Sequence, residues 1–197
     1  MLTIFKNKQV QDMLQLVKKK HAKQFRNRGR VPYWQHCLSV AEILASALEK
    51  TKELKNNKKL MVALICAALG HDLLEDTNIE RKKIETEFGL KVSDLIENLT
   101  NNQNDTQRSQ YMRKIRNAPD EARLIKYCDL IENTISCAYG IHDLGVNWVT
   151  KFFLPIKKET QRALAQNQPK IFSKTFLLLQ AQLKFVDERL INNINKY

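Results

Sequence analysis

Eleven consecutive residues, Ala67-Ala68-Leu69-Gly70-His71-Asp72-Leu73-Leu74-Glu75-Asp76-Thr77, hold the side chains in this sequence best suited to chemistry. An apolar run stops at an adjacent imidazole and carboxylate, and two more carboxylates follow within one helical turn. No Lys or Arg lies within four residues on either side, so the pair suits a divalent metal better than a salt bridge. Three carboxylates so close together repel one another, and a bound cation compensates them compactly. A His-Asp pair alone is a weak signal, because such pairs also cap helices and occur on surfaces. Thr77 reads as an N-cap for the helix that follows.

The elements that must position these groups are helices. Residues 60–69 read as a buried helix, too long for an ordinary buried strand and too short for a membrane span. Continued helical periodicity would put His71 and Glu75 on one face, with Asp72 and Asp76 on the adjoining one. A first helix is expected over 7–26, with Val10, Met13, Leu14, Val17, His21 and Phe25 at helical spacing, and His21 there reads as packing. The turn after it crowds Arg26, Arg28 and Arg30 before Pro32, and arginine forks match phosphate oxygens and stack on planar bases. His36 falls on a helix over about 32–50, where a lone histidine is more often structural.

Shorter helices are expected over 79–88, ended by Gly89, and over 92–99. A polar loop from Thr100 to Gln107 and a basic helix over 107–117 come next. In the apolar helix expected over 120–139, Asp129 needs a partner. It either lines a cavity with Lys126 and Asn133 or forms a buried ion pair with Lys126. A polar helix around 159–165 precedes an amphipathic one over 171–194, which reads as a packing element and a candidate dimer face. His142-Asp143, between two glycines and with no apolar helix behind it, is set aside as a decoy.

With 197 residues, 5 Gly and 4 Pro, the chain has room for one domain with its own core, and it reads as all-α, a helical bundle of irregular topology. The net charge of +12 is concentrated in residues 1–60, which hold 14 Lys and Arg against 4 Asp and Glu. Such a field attracts nucleic acid, an anionic membrane or a small polyphosphate without choosing among them. Cys37, Cys66, Cys128 and Cys137 lack zinc-finger spacing and sit among apolar residues, as reduced thiols do. With no signal-peptide pattern and no long apolar run, a cytoplasmic location is expected.

Taken together, His36, His71-Asp72 and Asp129 resemble the H…HD…D pattern of the HD-domain phosphohydrolases. Pro32-Tyr33 before the first histidine, His71-Asp72-Leu73-Leu74-Glu75-Asp76-Thr77, and Lys126-Tyr127-Cys128-Asp129 with Asn133 resemble the hydrolase domain of the RelA/SpoT family more closely. There the segments read PY-x-x-H, HD-x-x-EDT and K-L-A-D-x-x-x-N. The resemblance covers roughly residues 10–165 and implies a helical bundle of the HD type over 1–197, with 171–194 as a C-terminal packing helix. It also implies a stand-alone small alarmone hydrolase that removes the 3′-pyrophosphate from guanosine tetra- and pentaphosphate with one Mn²⁺ ion.

By the same resemblance His36, His71, Asp72 and Asp129 are the metal ligands, and Glu75 and Asp76 activate water. Arg26, Arg28, Asn133 and Ser136 meet the nucleotide. The expected partner is a small nucleotide polyphosphate rather than nucleic acid or a membrane. The chain departs from the family in a longer arginine turn, in Cys37 after the first histidine, in Leu130 and Ile135 at positions normally basic, and in Asn101 and Asn102 after Thr100. Those departures keep two alternatives open: an HD enzyme acting on an adenosine alarmone, NADPH or a deoxynucleotide, and a non-catalytic HD-like module that binds nucleic acid or a partner.

Overall fold

The computed structural model describes residues 2–26, 30–101 and 108–196. Arg28 and most of the polar loop, residues 102–107, lie outside the described residues. The architecture is all-α, with one two-stranded ribbon among the described residues. Among them, too, no helix is long and apolar enough to cross a membrane.

Helix α1 spans Lys8–Lys20 and starts at Asn7, whose side chain accepts the Gln9 and Val10 amides at 3.0 and 3.4 Å. A cap of this kind is worth about 1 kcal/mol. Val10, Met13 and Val17 point inward at the expected spacing. The helix ends at Lys20 rather than running to residue 26, and the chain turns into strand β1, Phe25–Arg26, antiparallel to β2, Val31–Pro32. Phe25, expected on the apolar face, is therefore exposed: the strand pairing, not a helical period, sets its direction.

Helix α2, Tyr33–Thr51, starts directly after Pro32 and buries His36, Cys37, Val40, Ala41 and Leu44. Helix α3, Lys58–Leu69, is capped by Asn57, whose side chain accepts the Leu60 amide at 3.0 Å. The helix ends at Leu69, as expected from the sequence, and helical periodicity does not continue through Asp76. Gly70 ends it, and a single turn, α4, resumes over Leu73–Asp76. A Cβ on Gly70 would lie 2.9 Å from Ile96 Cδ1 and 3.2 Å from Met13 Sδ, so this crowded corner suits a residue with no side chain. His71 and Asp72 consequently sit in a turn between two helices, not along one helical face.

Helices α5, Arg81–Phe88, and α6, Leu90–Leu99, are separated by Gly89 at φ 91°. Thr77 does not cap α5, whose N-cap is Glu80; its hydroxyl donates to the Leu73 carbonyl at 2.6 Å and so closes α4. Next come α7, Arg108–Asn117, and the long α8, Asp120–Tyr139. A short α9, Ile141–Leu144, carries the His142-Asp143 pair and is followed by α10, Val146–Trp148, and a π turn over Val149–Phe153. Helices α11, Leu154–Ala165, and α12, Ser173–Ile194, complete the order.

Helix α8 is the axis of the bundle, touching α2, α3, α6, α7, α11 and α12. Helix α12 lies along it and buries Phe176, Leu179 and Leu183, with the Phe176 ring edge-on to Tyr127 at 5.7 Å. Each such buried side chain contributes about 1.5–3 kcal/mol, so α12 clamps the helix that carries Asp129. All four cysteines are buried free thiols.

Candidate metal centre and cavity

The axis helix and two of its neighbours deliver four groups to a common point. His36 comes from the first turn of α2, His71 and Asp72 from the corner after α3, and Asp129 from the middle of α8. His36 Nε2 lies 3.3 Å from His71 Nε2, 3.3 Å from Asp129 Oδ1 and 3.5 Å from Asp72 Oδ2. His71 Nε2 lies 3.1 Å from Asp72 Oδ2 and 3.7 Å from Asp129 Oδ1. Donor atoms of His36, His71 and Asp129 all lie within 4.8 Å of one another.

The charge balance fits a cation. Burial lowers the imidazole pKa of His36, but hydrogen bonds with Asp129, Asp72 and Glu132 outweigh it and hold it well above the usual value. His71 shows the same competition, between burial and the Asp72 charge, and is raised to about 9. Burial raises the carboxyl pKa of Asp72 and Asp129, yet His71 and Lys126 respectively lead the groups that hold them well below normal. A site that draws protons onto two imidazoles is short of positive charge, and two imidazoles with two carboxylates are a donor set for a divalent transition metal.

A layer of supporting hydrogen bonds fixes these groups. His71 Nδ1 donates to the Ala68 carbonyl at 2.9 Å, leaving Nε2 turned inward. The Tyr33 hydroxyl donates to Asp72 Oδ2 at 2.8 Å. Both alternatives drawn from the sequence for Lys126 hold: it pairs with Asp129 Oδ2 at 2.8 Å and lines the cavity beside it. Asn133 donates to Asp129 Oδ1 at 2.6 Å.

Glu132 is the group that sequence reasoning missed. It accepts from His36 Nδ1 and from Arg26 Nη1, while Arg26 Nη2 donates to Asn133 Oδ1 at 2.6 Å. Its spacing held a signal, since residues 129 and 132 share a face of α8. These bonds hold Arg26 at the cavity wall against α8.

The cavity above the cluster has a volume of about 660 Å³. Arg26, His36, Asp72, Glu75, Asp129 and Asn133 line it, and Tyr111, Arg108 and Thr160 close the far side. Glu75 accepts the Asn101 amide at 2.7 Å, and burial, opposed by that bond, lifts its carboxyl pKa to about 7. Asp76 does not line the cavity. Burial and the Asp72 charge raise its pKa, while Tyr33 and His21 pull it down. His21 is fully buried, stacked on Tyr33 at 5.0 Å and bonded to Gln24, so it supports the wall as expected. Ser136 faces a neighbouring recess of about 290 Å³ on the other side of Arg26 and Glu132. Asp143 faces the same recess and pairs with Arg30 at 2.6 Å, outside the metal cluster.

A helical bundle that gathers an H…HD…D set in this way has a clear counterpart among known proteins. The HD-domain family matches residues 14–128, more than half of the chain, and the protein belongs to that family. The guanosine-3′,5′-bis(diphosphate) 3′-pyrophosphohydrolase MESH1 of Xenopus tropicalis is 31% identical over 118 residues, covering 58% of this chain and 61% of that protein. The Drosophila melanogaster MESH1 is 29% identical over 143 residues, 71% of each chain. The match to the Danio rerio protein, 30% identical, covers 53% of its length, so the chain spans little more than half of some curated relatives. A solved structure, described as a metazoan ortholog of SpoT that hydrolyses ppGpp, superposes with a TM-score of 0.68 at 21% identity, covering 93% of this chain and 96% of that one. That likeness establishes the fold.

Proposed function

We propose that this protein is a divalent-metal-dependent phosphohydrolase that removes the 3′-pyrophosphate from guanosine tetra- and pentaphosphate. The observation that carries this reading is the convergence of His36, His71, Asp72 and Asp129 beneath a cavity that also contains Glu75. The names of the related MESH1 proteins support the substrate.

His36, His71, Asp72 and Asp129 would hold one ion, and their mixed imidazole and carboxylate chemistry suits Mn²⁺. A divalent cation there supplies a Lewis acid for the phosphate and makes water a better nucleophile. Glu75, at the cavity wall, accepts a proton from the attacking water. The water oxygen bonds to the phosphorus next to the 3′-oxygen, the bond from that phosphorus to the 3′-oxygen breaks, and pyrophosphate leaves. The 3′-oxygen takes up a proton, and Glu75 in its acid form is placed to return it. Asp76 acts on the wall through Tyr33 and His21, as a positioning residue. Arg26 and Asn133 meet the nucleotide in the cavity, Arg28 contributes to the same contact, and Ser136 meets it where the base reaches the neighbouring recess.

The test is a nucleotide panel incubated with Mn²⁺-loaded protein, with pyrophosphate and orthophosphate counted separately. Pyrophosphate released from guanosine tetraphosphate, and not from NADPH or deoxynucleotides, is the expected result. Orthophosphate from NADPH, or turnover of an adenosine alarmone alone, would overturn the choice of substrate.

A further inference from the structure

The catalytic cavity does not end at Arg108. That residue and Met112 also line a second, larger groove of about 990 Å³ between α7 and α11. Arg113 and Arg116 on α7, and Arg162 on α11, face the same groove, with Glu159 the one carboxylate among its described lining residues. Glu159 is already engaged by Arg108 Nε at 2.8 Å. Arg116 donates to Gln166, a neutral partner, at 2.8 Å. Arg113 and Arg162 are exposed.

Two physical facts set this groove apart from an ordinary solvated face. Four guanidinium groups against one carboxylate leave uncompensated positive charge in a concave space, where like charges one turn apart on a helix oppose folding. In addition, Arg108 Nη2 is buried and has no hydrogen-bond partner among the described residues. The Arg108 side chain as a whole is about two-fifths exposed and its Nε is paired with Glu159, so Nη2 is the part of this guanidinium left for an anion to engage. Arg108 stands where the two spaces meet, so an anion that reaches it from the metal centre would next meet Arg113, Arg116 and Arg162.

We propose that the α7–α11 groove is a second anion subsite that receives the uncleaved polyphosphate arm of the substrate while the reacting arm occupies the metal centre. This rests on the hydrolase reading above and deepens it: the preferred substrates carry two phosphate arms, and the second is a di- or triphosphate. Planar guanidinium forks bind such oxygens in pairs.

The Arg113→Gln/Arg162→Gln variant tests this, since both side chains are exposed and the fold should survive, as circular dichroism will verify. With guanosine 3′-pyrophosphate carrying a 5′-di- or triphosphate, KM should rise roughly 5- to 30-fold, with kcat changed less than about twofold. With the 5′-hydroxyl analogue KM should not move. Removing the same charge at the start of α3, by Lys58→Gln/Lys59→Gln, should alter neither. Inorganic tripolyphosphate titrated calorimetrically into metal-free protein should bind more weakly to the arginine variant by a similar factor. Equal KM shifts at every arm length, or unchanged tripolyphosphate binding, would overturn the subsite. If the wild-type protein released no pyrophosphate from any nucleotide, the hydrolase reading would fall, and the tripolyphosphate titration would still decide the groove.

Discussion

One oxygen of Glu132 joins a metal-site histidine to a cavity arginine: Oε2 accepts both His36 Nδ1 and, at 2.7 Å, Arg26 Nη1. With a metal bound and His36 neutral, this bond would fix the tautomer and leave Nε2 to face the ion. It also sets the direction of Arg26 across the cavity. Glu132→Ala should reduce Mn²⁺ affinity by roughly 10- to 100-fold, the usual worth of a carboxylate behind a metal-bound histidine. Glu132→Gln, which keeps an acceptor oxygen, should recover part of the loss. Metal titration calorimetry distinguishes the two, and equal affinity in all three proteins would show that Glu132 is incidental.

Arg26→Ala should raise KM more than it lowers kcat, because a phosphate or base contact made in the ground state is lost equally in the transition state. A small fall in metal affinity should accompany it, since Glu132 loses one of its two donors. Collapse of kcat at constant KM would assign Arg26 a chemical role instead.

With Asp129 as a proposed metal ligand, its pair with Lys126 would couple metal binding to stability. Asp129 is buried, and Lys126 donates to it at 2.8 Å. Asp129→Ala should abolish stoichiometric metal binding. It should also destabilise the metal-free protein by about 3 kcal/mol or more, because Lys126 is left without its counter-charge. Asp129→Ala/Lys126→Met should regain much of that stability and still bind no metal. Urea titration in chelator, followed by metal analysis, reads both effects. For the wild type, stripping the metal should lower Tm, since a ligand that binds only the folded state stabilises it.

Glu75 carries the expected pH dependence. Its reactive form as a base is the ionised one, and burial lifts its pKa to about 7. kcat/KM should therefore fall about tenfold per pH unit on the acid side, with the limb at or below pH 7 because a nearby cation draws the pKa down. Glu75→Gln should remove that limb and cost roughly 10²- to 10⁴-fold in turnover with metal content intact. Asp76→Asn should cost less, as that residue is not among those lining the cavity. The stability term runs the other way: the fold prefers protonated Glu75, so its contribution is greatest below the model-compound value of 4.5 and is lost as pH rises towards 7. A limb that persisted in Glu75→Gln would move the base elsewhere.

The sequence by itself determined the helical class and the bounds of α8, and its resemblance to the HD pattern singled out His36, His71, Asp72 and Asp129, which the structure brings close together. His36 was singled out by the resemblance and not by its own surroundings, whereas His71-Asp72 at the end of an apolar run and Asp129 inside an apolar helix are anomalies visible without coordinates. The buried state of all four cysteines was legible for the same reason, from their apolar neighbours. Tertiary structure alone decided who pairs with whom. Gly70 ends α3 at a corner where Ile96 and Met13, from elements far apart in the chain, leave little room for a side chain, and His71 and Glu75 are separated by a turn and do not share one helical face. Glu132 meets His36 and Arg26 across separations of 96 and 106 residues, and a helical period carries no information about contacts made at that range. Glu75 and Asp76 are adjacent in sequence with the same acidic chemistry, yet only Glu75 lines the cavity. Glu75 accepts the Asn101 amide beyond the end of α6, a partner that the composition of the motif does not indicate.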